Sequence, residues 1–341
     1  MTTLPATMPA IVTRSGGAIT TPGSLVDAEI PTPAMPTQHD ILVEVHAASV
    51  NPVDVKVRAA GAGGDRVLGW DASGTVVAVG QDVVGLSPGD EVFYAGSLER
   101  PGSYARYQLV DARIAARKPL TLSHAEAAAL PLTAITAWEG LFDKLRLEET
   151  SEATLLVLGG VGGVGSMVIQ LAKALTGLTV IATASRAESR EWALSLGADA
   201  VVDHAAADLA EQIRALAPGG VDAVFSTQSR GRVPLVVDVV RPFGQIVAID
   251  DEKDLDLFAL KAKSLSWHWE LMFVRPRTGW DISAQGALLA HVAELVDAGR
   301  VRTTLTREIT PFSAESVREA HALVESGRMI GKVVVSGASR P

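Results

Sequence analysis

Apolar residues gather along this chain in two rhythms. Between about positions 154 and 249, short apolar runs alternate with segments whose apolar residues return every three to four positions. The runs at 154–158, 178–183, 199–203, 221–226 and 244–249 predict strands. The stretches at about 165–175, 187–196, 206–216 and 231–240 predict helices. In the first of these, Val164, Val168, Leu171, Ala172 and Leu175 fall on one face. Such alternation predicts an α/β unit, with parallel strands and crossover helices wound on both sides of one sheet. The first 120 residues read differently. Candidate strands at 41–50, 74–79, 91–94 and 103–110 are short and separated by Gly and Pro turns, which predicts an irregular, mainly β domain. The run 124–130 with Pro131 leads into the alternating part. The tail holds two helix candidates, 284–298 and 314–326, and a strand, 332–336, expected to return to the β domain. No internal repeat interrupts this plan.

The first predicted helix of the alternating part opens on Gly159-Gly160-Val161-Gly162-Gly163-Val164-Gly165. Gly160-x-Gly162-x-x-Gly165 after a strand and before a helix fits the dinucleotide fingerprint of a Rossmann unit. The glycines allow a tight turn and close backbone approach, and the N–H groups at the helix start can hold a pyrophosphate. We therefore place Gly160, Gly162, Gly163, Val164 and Gly165 in the cofactor-binding set. NAD sites carry an acidic residue about 20 positions beyond these glycines. Here Ser185 and Arg186 stand there, with Arg190 one helical turn further. A guanidinium pairs with phosphate oxygens in a fork geometry, so NADPH is expected over NADH. The competing reading has Ser185 capping a helix and both arginines solvated, with Glu188 and Glu191 diluting the positive field.

Length and composition narrow the class. A chain of 341 residues has room for about two domains of roughly 150 residues. Its formal charge of −9 gives no footprint for nucleic acid. The uncharged stretch 154–172 contains five glycines and Gln170, so a nucleotide loop accounts for it better than a membrane span. No secretory signal is read at the N-terminus, and a cytoplasmic protein is expected. Cysteine is absent, which removes disulfides, thiol catalysis and thiolate metal sites.

Eight segments, in order, carry a resemblance: Asn51-Pro52-Val53-Asp54, Gly69-Trp70-Asp71-Ala72-Ser73-Gly74, Pro88-Gly89-Asp90-Glu91-Val92, Ala129-Leu130-Pro131, Thr136-Ala137-Trp138, the glycine loop, Leu196-Gly197-Ala198-Asp199 and Gly331-Lys332-Val333-Val334. Over nearly its whole length the chain resembles the medium-chain dehydrogenase/reductase superfamily, and within it the zinc-independent quinone oxidoreductases. The resemblance implies a Rossmann doubly wound parallel sheet inserted into a GroES-like, mainly β domain. Residues 1–128 and 276–341 would form the GroES-like catalytic domain and 129–275 the nucleotide domain, with a site in the cleft between them. It also implies a homodimer or homotetramer. Zinc-bearing relatives have a cysteine and a histidine where this chain has Asn51 and Trp70, and a third cysteine that has no counterpart. The seven histidines are scattered along the sequence without ligand-like spacing, so no metal is expected.

Without a metal to stabilise an alkoxide, hydride transfer is easier to the electron-poor carbon of a quinone or an α,β-unsaturated carbonyl. The protein must then offer a donor to the oxygen that gains negative charge. Asn51 is one candidate, as a donor to the substrate or a hold on the nicotinamide ribose; alternatively it is a turn residue before proline. Lys56 is a second, as an ammonium facing an enolate, against a solvated surface lysine. Tyr94 is a third, against a core aromatic. Asp54 is expected to fix a helix start, and Asp71 to support the cleft. Thr136, Ser226 and Lys332 complete the cofactor-binding set, with plain helix and turn roles open for the first two. Loops 59–67 and 95–101 are expected to shape substrate choice. The aromatic segment 266–273 is read as an oligomer contact. Two other functions compete: a zinc-dependent alcohol dehydrogenase-like enzyme, and a non-catalytic NADPH-binding protein of the lens-crystallin kind.

Overall fold

The computed structural model describes residues 4–61 and 64–337. It divides into two units, Met1–Leu132 with Phe273–Pro341, and Thr133–Met272. The breaks thus fall after Leu132 and Met272, a few residues from the expected 128/129 and 275/276.

The first unit begins with eight strands: β1 (Thr7–Thr13), β2 (Val26–Pro31), β3 (Asp40–Ser49), β4 (Arg66–Val67), β5 (Ala72–Val79), β6 (Glu91–Tyr94), β7 (Tyr107–Asp111) and β8 (Ala115–Arg117). Helix α1 (Pro52–Ala60) follows β3, and α2 (His124–Ala128) follows β8. Helix α3 (Pro131–Trp138) leads into the second unit and runs on as a π-helical turn, Glu139–Lys144.

The second unit is the alternating part: β9 (Thr154–Leu158), α4 (Gly163–Leu175), β10 (Thr179–Thr183), α5 (Ala187–Ser195), β11 (Ala200–Val202), α6 (Leu209–Leu216), β12 (Val221–Ser226), α7 (Val233–Val239), β13 (Val240–Ala248) and β14 (Ser266–Trp269). The order is β11-β10-β9-β12-β13-β14, every pair parallel. Strands covered on both faces need near-continuous apolar sequence. Accordingly β9 buries Leu155 through Leu158, and β12 buries all but Asp222. Leu156, Ile181, Ile213, Val224, Val236 and Ile246 form the centre of this core. The sequence reading ended the sheet at 249. The structure adds a sixth strand, β14, inside the aromatic segment, where Trp267 and Trp269 touch at 5.5 Å between centroids.

The tail adds α8 (Val274–Thr278), α9 (Ser283–Asp297), β15 (Leu305–Ile309), α10 (Ala314–Glu325) and β16 (Lys332–Ser336). As expected, β16 returns to the first unit, antiparallel to β3. The resulting sheet runs β15-β16-β3-β5-β6-β8, with β7 also on β3. Its core holds Ile41, Val43, Val76, Val92, Val110 and Ile282. Small residues, Ala47, Ala125, Ala128 and Ala129, let α2 lie close on the sheet.

Candidate active site

In the first unit, β3 lies between β16 and β5, and the three strand ends build one buried centre. Val334 pairs with Ser49, so the antiparallel register carried two residues on sets Lys332 opposite Asn51. On the other side Ser49 donates its N–H to the Asp71 carbonyl at 2.8 Å. Asn51 then leaves the strand as the N-cap of α1, with Pro52 at the first helical position, where its missing N–H costs nothing. Asp54 closes the turn by accepting the Asn51 backbone N–H at 2.6 Å. This is the helix-fixing role expected for Asp54.

Lys332 Nζ donates to Asn51 Oδ1 at 2.5 Å and to the Val50 carbonyl at 2.9 Å, and lies 3.5 Å from Asp71 Oδ2. Asn51 Nδ2 donates to Asp71 Oδ2 at 3.1 Å and reaches the Ser49 carbonyl only at 3.5 Å. The other Asp71 oxygen accepts the Leu132 N–H at 3.1 Å. Asn51 is 1% exposed, and Asp54 and Asp71 are wholly enclosed. Burial pushes the Asp54 carboxyl up to about 7 and that of Asp71 up to about 6, with Lys332 opposing both. Burial also lowers the Lys332 pKa, while the two carboxylates hold it up. Asn51 is therefore the hub of an interior network. Its expected role as a donor narrows to one amide hydrogen, weakly engaged at 3.5 Å.

The other candidates of this unit take different places. Lys56 is exposed on α1. Tyr94 departs from the catalytic role and takes the alternative, a core aromatic: it is fully buried, its hydroxyl donates to Gln108 Oε1 at 2.9 Å, and burial raises its pKa, so it stays protonated. Lys332 also departs from its expected place on the cofactor, because Asn51, Val50 and Asp71 take its ammonium. Trp70 is fully buried and its Nε1 donates to the Ser97 carbonyl at 2.9 Å. Of loop 59–67, positions 62 and 63 lie outside the described residues.

The histidines are less scattered than the sequence suggested. His46 and His124 meet at 4.5 Å between centroids, joined by the β3–α2 packing. Their nitrogens face Thr75 Oγ1, Ser73 Oγ and Glu91. Among the described residues, no group of three or more His, Asp or Glu is arranged to hold a metal ion.

The second unit gathers the nucleotide signals at the C-terminal ends of β9 and β10, where open parallel sheets take their ligands. Gly162 is the N-cap of α4, so the N–H groups of Gly163, Val164 and Gly165 have no acceptor within the helix. A methyl group on Gly165 would overlap the Gly159 carbonyl oxygen, whereas one on Gly162 would meet nothing within 4 Å. Gly160 lies against Ala182, so a methyl there would come within 2.9 Å of the Ala182 Cβ. Packing thus demands Gly165, and the open face of the turn lies at Gly162. This cradle fits the pyrophosphate of a nicotinamide dinucleotide.

Thr183, not anticipated from sequence, accepts the Gly159 N–H at 3.0 Å and ties the loop to β10. Beyond β10, Ser185 and Arg186 are exposed, and Arg186 is the N-cap of α5. Arg190 departs from its expected help with a phosphate: its guanidinium donates to the Ala184 and Val201 carbonyls at 3.4 and 3.0 Å. Ser226 is buried, and its hydroxyl lies 3.0 Å from that of Ser229, which bonds Asp250 at 2.7 Å. Thr136 is 5% exposed on α3. A further buried acid pair escaped the sequence reading. Glu139, at the start of the π-helical turn, hydrogen-bonds Glu270 just beyond β14, and burial with this like-charged neighbour pushes the Glu270 carboxyl up.

The chain matches the alcohol dehydrogenase GroES-like domain over residues 37–120 and the zinc-binding dehydrogenase model over 196–335. It is 43% identical to a zinc-type alcohol dehydrogenase-like protein of Staphylococcus aureus, over 88% of this chain and 92% of the relative. It is 33% identical to the NADPH-dependent alkenal/one oxidoreductase of Arabidopsis thaliana, over 87% of this chain and 72% of the relative. A Rhizobium etli crystal structure, named for zinc-dependent alcohol dehydrogenases, superposes with TM-score 0.93 at 50% identity, covering 98% of this chain and 99% of that one. A zinc centre, which these names imply, does not fit the residues present. Trp70 offers only a donor N–H, and the Asn51 carbonyl oxygen already receives the Lys332 ammonium. The matched domains, the nucleotide cradle, the parallel sheet of one unit and the GroES-like match in the other establish that the chain belongs to the medium-chain dehydrogenase/reductase superfamily of oxidoreductases, whose members bind nicotinamide cofactors.

Proposed function

We propose that the protein is an NADPH-dependent oxidoreductase that reduces α,β-unsaturated carbonyls or quinones without a metal. One observation carries this reading: at the position of a zinc ligand in related enzymes, Asn51 is hydrogen-bonded to a buried ammonium. Such a centre has no Lewis acid for an alkoxide, but it does hold a polarised amide donor. The Arabidopsis relative named for alkenals and enones supports the substrate class.

In this reading the backbone of Gly160–Gly165 holds the pyrophosphate of the cofactor, and Ser185 with Arg186 takes the 2′-phosphate. When bound, the cofactor would supply the hydride that the substrate's β-carbon takes. Negative charge then moves to the carbonyl oxygen, where the second Nδ2 hydrogen of Asn51 donates. Lys56, exposed on α1, adds positive charge and is a source for the proton that completes reduction. Assembly into a dimer or tetramer belongs to the same proposal. β14 is an edge strand that exposes Trp269 at 46%, and unpaired strand edges favour pairing between chains.

The deciding assay mixes protein and NADPH with an enone, a quinone and a saturated aldehyde, following loss of the reduced nicotinamide absorbance. Turnover with the first two is expected. Turnover confined to the aldehyde and abolished by a chelator would defeat the reading in favour of zinc alcohol chemistry. Cofactor binding without turnover would favour a non-catalytic binding protein. The cofactor preference has its own check. Arg186→Ala is expected to weaken NADPH at least tenfold while changing NADH little, a loss typical of a charge-assisted phosphate contact, about 1.5–3 kcal/mol. Equal losses for both cofactors would remove the phosphate role.

A further inference from the structure

At Asn51, one of the places where the zinc names of related proteins and the residues of this chain disagree, the structure shows what stands instead. Lys332 is 4% exposed, and its ammonium has three oxygen neighbours: Asn51 Oδ1 at 2.5 Å, the Val50 carbonyl at 2.9 Å and Asp71 Oδ2 at 3.5 Å. This is a cation in a cage of oxygens, delivered by the chain itself.

We infer that Lys332 is a positioning residue, the built-in cation that fixes the Asn51 amide in the orientation needed for catalysis. The inference rests on the reading of Asn51 as the donor to the substrate.

The chemistry of the neighbours decides the orientation. An ammonium can only donate, so the Asn51 oxygen must face it. An ionised carboxylate can only accept, so the Asn51 nitrogen must face Asp71. The amide is clamped from both sides and cannot flip without setting donor against donor and acceptor against acceptor. With Nδ2 held at 3.1 Å from Asp71, its second hydrogen has one direction left, near the distant Ser49 carbonyl. The ammonium also draws electron density from the amide oxygen and strengthens that hydrogen as a donor. A divalent cation at the same oxygen would meet the Lys332 charge in a buried setting, where like charges repel strongly. Strand register explains how the pair forms, since β16 and β3 bring together residues 281 positions apart.

The test compares Asn51→Ala, Lys332→Met, Lys332→Arg and the double variant Lys332→Met/Asp71→Asn. Each is assayed for thermal unfolding, NADPH affinity by fluorescence titration, and kcat and KM with the accepted enone or quinone. Lys332→Met strands two buried carboxylates and is expected to be less stable; the double variant removes one charge of each sign and keeps the centre balanced. Both should lose about ten- to hundredfold in kcat, with NADPH affinity within about twofold of wild type. Lys332→Arg should recover part of that loss.

Unchanged kcat in the folded double variant would overturn the inference, because charge balance alone would then suffice. A collapse of NADPH affinity with kcat preserved at saturation would also overturn it, by making Lys332 a cofactor ligand. Asn51→Ala separates the two levels. If it leaves kcat unchanged, the reading of Asn51 as donor fails. If it lowers kcat while the Lys332 variants do not, only the role of Lys332 fails.

Discussion

Gly162→Ala is expected to fold like the wild type and to lose most of its affinity for the nicotinamide cofactor, while Gly165→Ala is expected to disturb the fold itself. The two glycines lie three residues apart in one motif and answer to different constraints. Gly162 has φ −70, a value open to any residue, and a methyl group there meets no atom within 4 Å. As the N-cap it costs at most about 1 kcal/mol to replace with alanine. That methyl would project over the open first turn of α4, where the pyrophosphate must approach the backbone. Affinity for the nicotinamide cofactor should fall by about two orders of magnitude, as when a phosphate loses close backbone contact. Gly165 faces inward. Its methyl would overlap the Gly159 carbonyl and come within 2.7 Å of the Gly160 Cα. Both are main-chain atoms, so the loop itself must shift, at about 1–3 kcal/mol or more. Thermal unfolding and NADPH titration on both variants check this. Wild-type affinity in Gly162→Ala would show that the loop is not a pyrophosphate cradle, and wild-type stability in Gly165→Ala would contradict the close approach.

The same contrast explains what the sequence disclosed. Strands β9 and β12 were legible to the residue because a strand buried on both faces leaves an unbroken apolar run. Strand β14 was not, because this four-residue edge strand buries none of its residues fully and so leaves no apolar run. Ser266-Trp267-His268-Trp269 reads as an aromatic contact patch until β13 is seen beside it. Strand β2 was missed for a related reason: it alternates half-buried and exposed residues without a strong apolar face. In the site, motifs contiguous in sequence stay together in the structure. The glycine loop and Ser185–Arg186 occupy the ends of consecutive strands. What departed from expectation were side chains whose partners sit on other elements, only 6 to 14 residues away along the chain but brought onto them by the fold. Tyr94 reads as a free hydroxyl until Gln108 is placed on it, and Arg190 as a free cation until the Ala184 and Val201 carbonyls are. The Lys332–Asn51 contact depends on strand register, which neither residue's neighbours encode.

Asp54→Asn is expected to flatten the pH dependence of stability between about pH 4 and pH 8. Asp54 is fully buried; one carboxylate oxygen accepts the Asn51 N–H at 2.6 Å, and the other has no hydrogen-bond partner among the described residues. The Asn51 N–H, Lys332 and the Gly69 N–H favour its charge, and Asp71 opposes it; Tyr104 lies within reach of both acids. Burial outweighs the favourable contacts and raises the carboxyl from 3.8 to about 7. The sign follows from linkage. Below the unfolded value both states hold the proton, and the contribution to stability is fully present. As pH rises, the unfolded chain releases its proton first. The folded state must then ionise a buried group, so stability is lost until pH passes the folded value. Asp71, raised to about 6, acts in the same direction. From Asp54 alone the loss is about 4 kcal/mol across the window, on the scale of about 1.4 kcal/mol for each tenfold change in acidity. Asparagine keeps an oxygen for the Asn51 N–H and has no proton to release. His321 acts in the opposite direction, since burial lowers its pKa to about 3 and its contribution disappears as pH falls through that value. It is the same in both proteins and cancels in the difference between them. Denaturant unfolding of wild type and Asp54→Asn across this range measures that difference. It should be small at pH 4 and grow in favour of the variant toward pH 8; parallel curves would mean that Asp54 is already ionised in the folded protein throughout, against the direction its burial dictates.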